Sequence, residues 1–459
     1  MYFGTLVLGL IIATGLAWGF VSLLQQISDK QELKKFILLG IIFFFIIGAY
    51  WMVRPLKDSF FSVIVGIGHR GAAKIASVIL ISSLVLLYSK LLDSFRKEKV
   101  IYILTAVYGC ALLVFMLLFM HPTIGLANLS ASPTRIIGWA WYVFVESIGS
   151  LVVACFWAFT TDITMPEEAK RGFPILILFA QLGNIGGPLS NILLLQLTGS
   201  GAPFVGLAGI LLFAAGGMVW LFLRIIPKNH MVGYHDADEK MEPGLFDGLK
   251  LLLNHTYLLC IFGIVTMFEV LQTLLDLYLK DEVASIFPKE FDQTLFLDKF
   301  AVVIGIIATL ALIFRIGKLP RILGLLPSLM LLPIIVIIGF VAINISSSLG
   351  YLLYGLFGVV AAFKAVNFAL NQQTVKQLYI PTTPSAKYKA QAWIDTFGSR
   401  SAKASGGIID LTKRLVTPCY QLPAYLVIAI LLAGCIWIPT AIFAARRYNK
   451  AIKENEVIC

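Results

Sequence analysis

Charge is what this sequence has least of. Only 13% of its 459 residues are Asp, Glu, Lys or Arg, whereas 59% are hydrophobic and the mean hydropathy is +0.89. No water-soluble class has that composition, so the chain reads as an integral membrane protein. Spans of about 20 apolar residues separated by short loops use up nearly all of the length and leave no room for a soluble catalytic domain. Cysteine is sparse too: Cys110, Cys155, Cys260, Cys419, Cys435 and Cys459 show no CxxC spacing, and the five histidines are scattered. This argues against a zinc site or a disulfide framework. No phosphate-cradling P-loop occurs, so energy does not come from hydrolysis in this chain. The expectation is a protein that is not an enzyme and has no cofactor and no metal. The net charge of +11, from 36 Lys+Arg against 25 Asp+Glu, would point to nucleic acid in a soluble protein. In a multispan protein basic residues gather in cytoplasmic loops instead, so no nucleic-acid partner is expected.

What is present is a series of apolar runs, near residues 2–24, 36–65, 72–92, 98–120, 135–161, 172–196 and 203–226, resuming at 248–279, 298–316, 320–343, 350–378, 390–412 and 423–445. Setting the first aside leaves six spans, the most hydrophilic stretch of the chain, and six more. The predicted fold is therefore an all-α membrane protein with two six-helix bundles, laid out like a major-facilitator-type transporter, plus one extra N-terminal helix. The expected divisions are 1–35 (extra helix and basic linker), 36–226 (first bundle), 227–247 (cytoplasmic linker), 248–445 (second bundle) and 446–459 (cytoplasmic tail). Spans are numbered one to twelve from residue 36.

Lysine and arginine test this threading, because they should crowd onto every second loop. The predicted cytoplasmic segments hold 23 of them, including Lys34, Lys35, Arg96, Lys97, Lys170, Arg171, Arg315, Arg321, Arg446 and Arg447; the opposite side holds eight, among them Arg70, Lys280 and Lys299. Both ends of the twelve-span core then face the cytoplasm. The segment Tyr2 to Leu24 has no basic region before its apolar run and meets Lys30 to Lys35 only after it, the wrong order for a cleavable signal peptide. It reads as a retained helix that faces lipid or a partner helix, with Gly4, Gly9, Gly15 and Gly19 as its unusual features.

Five cations remain at or near membrane depth: Arg54, Lys57, Lys364, Arg400 and Lys403. The acids at similar depth are Asp58, Glu146, Glu269, Asp276 and Asp395. An unpaired ion in hydrocarbon costs a few kcal/mol on insertion scales, so such groups face a polar cavity or one another and mark a transport path by default. Helical spacing puts them on faces. Span 1 aligns Tyr50, Arg54, Lys57 and Phe61 around Pro55, which removes a backbone donor. Span 4 aligns Trp139, Tyr142, Glu146 and Gly149. Span 7 aligns Thr266, Glu269, Thr273, Asp276 and Lys280, and span 10 Lys364, Asn367 and Asn371. Span 5 adds Gln181, Asn184 and Asn191; span 11 adds Asp395, Ser399, Lys403 and Asp410. Two plainer readings stay open: interfacial charges snorkelling to the headgroups, Arg54 above all, and acid–base pairs that only lock helices together.

The GxGxxG of Gly66, Gly68 and Gly71 follows no strand and reads as a loop rather than a dinucleotide fingerprint. Gly183 and Gly187 make a GxxxG in span 5, read as close helix packing.

Several stretches together resemble the ATP/ADP translocase family of plastids and obligate intracellular bacteria, which is distinct from the mitochondrial carriers. They are Arg54-Pro55-Leu56-Lys57-Asp58; Glu146 with Gly149-Ser150, Phe156-Trp157 and Glu167-Glu168-Ala169-Lys170-Arg171; Phe268-Glu269-Val270; and the run from Lys364 through Lys376, Tyr379-Ile380-Pro381, Lys387, Lys389, Ile394-Asp395, Gly398, Arg400 and Lys403 to Gly406. The resemblance implies a nucleotide transporter in a bacterial inner membrane or a plastid-type inner envelope. It places the family's functional first-span lysine on Lys57, its fourth-span glutamate on Glu146 and its seventh-span glutamate on Glu269. The chain departs from the family pattern at Thr273, Gln377 and Gln391, where the family usually has a lysine, an acid and a lysine.

The mechanism expected is exchange of ATP for ADP by alternating access. Arg54, Lys57 and Lys364 hold phosphate, with Lys387, Lys389 and Arg400, near Asp395, as an inner-mouth relay. The base stacks on Tyr50, Tyr142 or Trp139 and is read by Asn184, Asn367 or Asn371. Glu146 and Glu269 pair with the cations when the site is empty. Two alternatives remain: proton-coupled or exchange transport of another nucleotide or small metabolite on the same fold, and a non-transporting membrane scaffold.

Overall fold

The computed structural model describes residues 27, 29–94, 97–231, 247–313, 323–383, 390–412, 430, 433–454 and 456–458. The predicted helix over residues 1–24 and most of the linker at 227–247 lie outside them. Among the described residues the regular structure is helical, with one isolated bridge between Thr382 and Ile458. The helices are α1 (Lys30–Ile64), α2 (Arg70–Ser94), α3 (Lys97–Met120), α4 (Ile136–Asp162), α5 (Pro166–Thr198) and α6 (Ala202–Ile225), then α7 (Thr256–Ile286), α8 (Glu290–Ile313) and α9 (Leu325–Ser348). The helix α10 (Leu352–Val366) runs through a π-turn (Asn367–Asn371) into Gln372–Leu378. The next, α11, starts at Gln391–Trp393, passes a π-turn (Ile394–Gly398) and continues as Ser399–Thr412; α12 is Ile438–Glu454. Eight of these are long and apolar enough to cross a membrane.

Local chemistry sets the ends. Asp29 caps α1 by accepting from the backbone N–H of Gln31 (3.0 Å) and Glu32 (3.3 Å), which leaves fewer orphaned donors in its first turn. Those bonds hold the Asp29 carboxyl below the usual carboxylate range. The helix stops at Gly66, whose φ of 111° favours glycine, so the GxGxxG stretch is a helix–helix connection as expected. The fifth helix, α5, ends on Gly199 in the left-handed region (φ 68°), whose N–H donates to Leu195 O at 2.9 Å.

Two spans needed correction. The eighth was expected from residue 298, but α8 begins eight residues earlier at Glu290; Glu290 and Asp298 look like loop residues only until their partners are known. The seventh run was expected unbroken from 248, but a short helix, Asp247–Asn254, precedes α7 and is separated from it at His255.

Two compact units result. The first draws its described residues from 1–67, 79–237 and 284–313, so it holds α1, α3 to α6, α8 and most of α2. The second draws on 68–78, 238–283 and 314–459, which gives it most of α7, α9 to α12 and the start of α2. In the first unit α1 packs against α4, α5 and α6, and α8 against α1 and α5. A Cβ at Gly183 would lie 2.7 Å from Phe44 O, and one at Gly187 would lie 2.5 Å from Gly48 O and 2.8 Å from Met52 N. The GxxxG therefore does what small residues do between membrane helices, letting two backbones touch. An aromatic cluster of Phe60, Phe115, Phe119, Trp141 and Phe144 fills the space between α1, α3 and α4.

Candidate functional site

In the first unit the predicted charges of α1 and α4 meet. Lys57 is buried and forms an ion pair with Glu146, which is partly exposed. Asp58 lies 3.8 Å from the same ammonium. The ring of Tyr142, one turn before Glu146, sits under the ammonium, 4.3 Å away, a cation–π contact that strengthens once water is excluded. Tyr142 is itself buried, so its face is taken by Lys57 rather than open for stacking. Arg54, one turn before Lys57, lies over Trp51 (4.5 Å) and Tyr50 (5.8 Å). Tyr50 closes on Gly149, where a Cβ would be 2.7 Å from its ring. Trp139 donates to Pro133 O at 3.0 Å and packs edge-on against Phe61. Asn184 donates to Gln181 at 3.1 Å.

The second unit contains a cavity of about 760 Å³. Its polar lining comes from Glu269 on α7, Asn367, Asn371, Gln372, Lys376 and Gln377 on α10, and Asp395 and Ser399 on α11; Val265, Phe268, Val375 and Ile380 supply apolar walls. A pocket that is mostly apolar with a few convergent polar groups suits a small-molecule ligand. Two π-turns build it. They rotate Asn367 and Asn371 on one side and Asp395 on the other relative to the α-helical frame, and such turns recur at functional sites. Asn371 donates to Asn367 at 3.0 Å. Glu269 accepts from Ser399 Oγ at 2.6 Å and lies 3.5 Å from Lys403. Lys376 pairs with Asp395.

The predicted residues therefore separate into groups. Arg54, Lys57, Tyr142 and Glu146 come together in the first unit. Glu269, Asn367, Asn371 and Asp395 share the cavity wall in the second. Lys364 lies in the second unit but does not line the cavity; it donates to Asp276 at 2.6 Å, and Lys280 pairs with the same carboxylate at 2.5 Å. Arg400, half-buried, does not line it either. Lys387 and Lys389 lie outside the described residues. Sequence reasoning missed Lys376 as a cavity residue. The signal was available, since Lys376 is one turn beyond Gln372 at the polar end of span 10. It also placed Lys35 and Arg70 in loops. Lys35 is buried at the start of α1 and donates to Ile163 O (2.6 Å) and Glu168 (2.7 Å). Arg70 is buried at the start of α2 and donates to Asp281 at 3.0 Å.

Against known families, the model described as TLC ATP/ADP transporter matches residues 19–448. The chain belongs to that family. Within the TLC family it is 26% identical over 495 residues to ADP,ATP carrier protein 1 of Chlamydia pneumoniae, covering 93% of this chain and 94% of that protein. To ADP,ATP carrier protein 1 of Rickettsia typhi (strain ATCC VR-144 / Wilmington) it is 22% identical over 504 residues, covering 97% and 100%. Among solved structures it resembles the POT family transporter PepTSo at a TM-score of 0.62 and 12% identity, over 91% of this chain and 98% of that one. That likeness concerns the fold, which is all-helical, multi-span and major-facilitator-like. A TLC chain of this kind is a multi-pass membrane transporter and not an enzyme, as its composition indicated.

Proposed function

We propose that this TLC transporter exchanges ATP for ADP by alternating access, with its twelve-span core divided at the linker 227–247. The observation that carries the reading is the Lys57–Glu146 pair. A buried ammonium held by a carboxylate is a phosphate site in waiting, because a phosphate oxygen replaces the carboxylate oxygen without leaving the cation bare. In this reading Glu146 restores the pair after release, so Lys57 is paired in both the loaded and the reset state and an exchange cycle is favoured over leaving the cation bare. Arg54 supplies a second cation one turn away. In the second unit Lys376 takes the same part for phosphate, and the amides of Asn367 and Asn371 read the edge of the base, because side-chain amides carry both donors and acceptors.

The test is counterflow. Proteoliposomes loaded with ADP should take up labelled ATP; Lys57→Ala and Glu269→Gln should insert normally and lose uptake. Undiminished uptake in both variants would remove the proposed site. The carboxylate partners of Lys57, Lys364 and Lys376, together with Thr273 and Gln391 in place of two family lysines, favour a second reading: another nucleotide or a less phosphorylated metabolite, moved by exchange or with protons. A thermal-shift panel of ATP, ADP, other nucleotides, nucleosides and amino acids decides between them.

A further inference from the structure

A second buried polar cluster in the first unit takes no part in the site described above. It lies where α8 packs on α1 and α5. Asp298 and Asn191 are both fully buried. Asn191 Nδ2 spends its two protons on Met52 O (2.9 Å) and Asp298 Oδ1 (3.1 Å), which fixes the orientation of its amide. The Asn191 amide oxygen, Oδ1, and the second carboxylate oxygen of Asp298, Oδ2, have no hydrogen-bond partner among the described residues. Two neighbouring side chains thus present two orphaned acceptors and no donor, a costly arrangement in a buried place. Asp298 also forms no ion pair with a described residue.

The facing groups supply no cation. From α1 come the Met52 carbonyl and the Ser59 hydroxyl, the latter bonded to Thr294 Oγ1 at 2.7 Å. From α5 comes the Asn191 amide, while a second α5 amide, Asn184, lies further along α8 beside Gly305. On α8 itself Glu290, two turns before Asp298, is a further acid; it accepts from Thr294 Oγ1 (3.0 Å) and from the N–H of Gly201 at the start of α6 (3.2 Å). The charged groups of α1 nearest in sequence, Lys57 and Asp58, are 3.8 Å from each other, and Lys57 is held by Glu146.

We propose that Asp298 and Asn191 form a proton-binding site. One proton on Asp298 Oδ2, donated to Asn191 Oδ1, pairs both orphaned oxygens at once. With the existing Asn191 Nδ2 to Asp298 Oδ1 bond it closes an acid–amide ring across α5 and α8. Loss of that proton leaves a bare carboxylate facing an amide oxygen, with Glu290 adding to the repulsion, so the proton holds α8 against α5 and α1. The proposal rests on the geometry of this seam and is independent of which solute the protein carries.

Infrared difference spectra of the purified full-length protein, with aspartate labelled by carbon-13 at the side-chain carboxyl, test it. The expected result is a protonated-carboxyl band at neutral pH that moves with the label and with deuterium exchange and is lost in Asp298→Asn. In Asn191→Ser, which removes the amide partner, the same band should shift. A wild-type spectrum with aspartate carboxylate bands alone would overturn the proposal and assign a bridging water as the donor to both oxygens; that outcome needs no variant to fold. A protonated band unchanged in either variant would overturn it equally.

Discussion

Lys57 on α1 and Glu146 on α4 form an ion pair, and the ring of Tyr142 underlies the ammonium at 4.3 Å. The two residues are 89 positions apart in sequence, so the pair adds a charged tie between two helices of the first unit that also pack through Phe60 on Trp141 and Phe61 on Trp139.

Lys57 serves two acids, Glu146 directly and Asp58 at 3.8 Å, so removing the cation and removing one acid should not be equivalent. Breaking a buried ion pair by removing one member costs about 3–5 kcal/mol when the charge left behind is uncompensated. Glu146→Leu leaves Lys57 beside Asp58 and should lower the unfolding temperature in detergent less than Lys57→Met, which takes the cation from both acids. Equal losses in the two variants would mean that packing, not charge pairing, holds α1 to α4 here.

Asp276 presents a different case, since it holds Lys364 at 2.6 Å and Lys280 at 2.5 Å. Lys364→Ala leaves the carboxylate a remaining cation one turn along its own helix, so its cost should stay near the about 0.5–1.5 kcal/mol of an ordinary hydrogen bond. Asp276→Asn leaves two ammonium groups facing each other and should cost several-fold more. Chemical or thermal unfolding of the two variants side by side settles the order.

These partnerships show what the sequence could and could not yield. The spans were legible because each is a long apolar run bounded by charge, and the alternation of lysine and arginine ordered them. Lys57 and Glu146 were legible as membrane-depth charges from position and from the family pattern. Their partners were not. Glu269 was expected opposite the membrane-depth cations in general, yet it takes Ser399 and Lys403, while Lys364 takes Asp276. Helix rotation decides such choices, and a pattern of one residue in three or four leaves it free by a large fraction of a turn. The two π-turns that shape the cavity shift the register by one residue and carry no compositional mark. Asp298 was missed because α8 was started at that residue. The i, i+4, i+8 stripe of Glu290, Thr294 and Asp298 was the available sign that the helix began earlier.

Gly187 separates backbone contact from mere helix preference. Gly187→Ala puts a Cβ 2.5 Å from Gly48 O and 2.8 Å from Met52 N, which forces α5 away from α1 and should cost about 1–3 kcal/mol, the usual price of overpacking. Gly217→Ala on α6 meets nothing within 4 Å and should be neutral or stabilising by up to about 1 kcal/mol through helix propensity. Melting curves for the two variants, differing only in position, should therefore move in opposite directions or by clearly unequal amounts.

Lys376 gives the sharpest separation of function from fold. Its pair with Asp395 is half-open, the side chains being 52% and 43% exposed, and exposed pairs contribute only about 0–1 kcal/mol. Lys376→Gln should therefore leave the unfolding temperature nearly unchanged. If the cavity receives an anion, the same variant removes a charge-assisted bond worth about 1.5–3 kcal/mol, which is about ten- to a hundredfold in the KM for exchange. Asp395→Asn should act in the opposite sense, because it releases the ammonium from its carboxylate and lowers the cost of giving it to a phosphate. Exchange assays across substrate concentration with both variants would show the two KM shifts in opposite directions; shifts of the same sign would place the anion elsewhere.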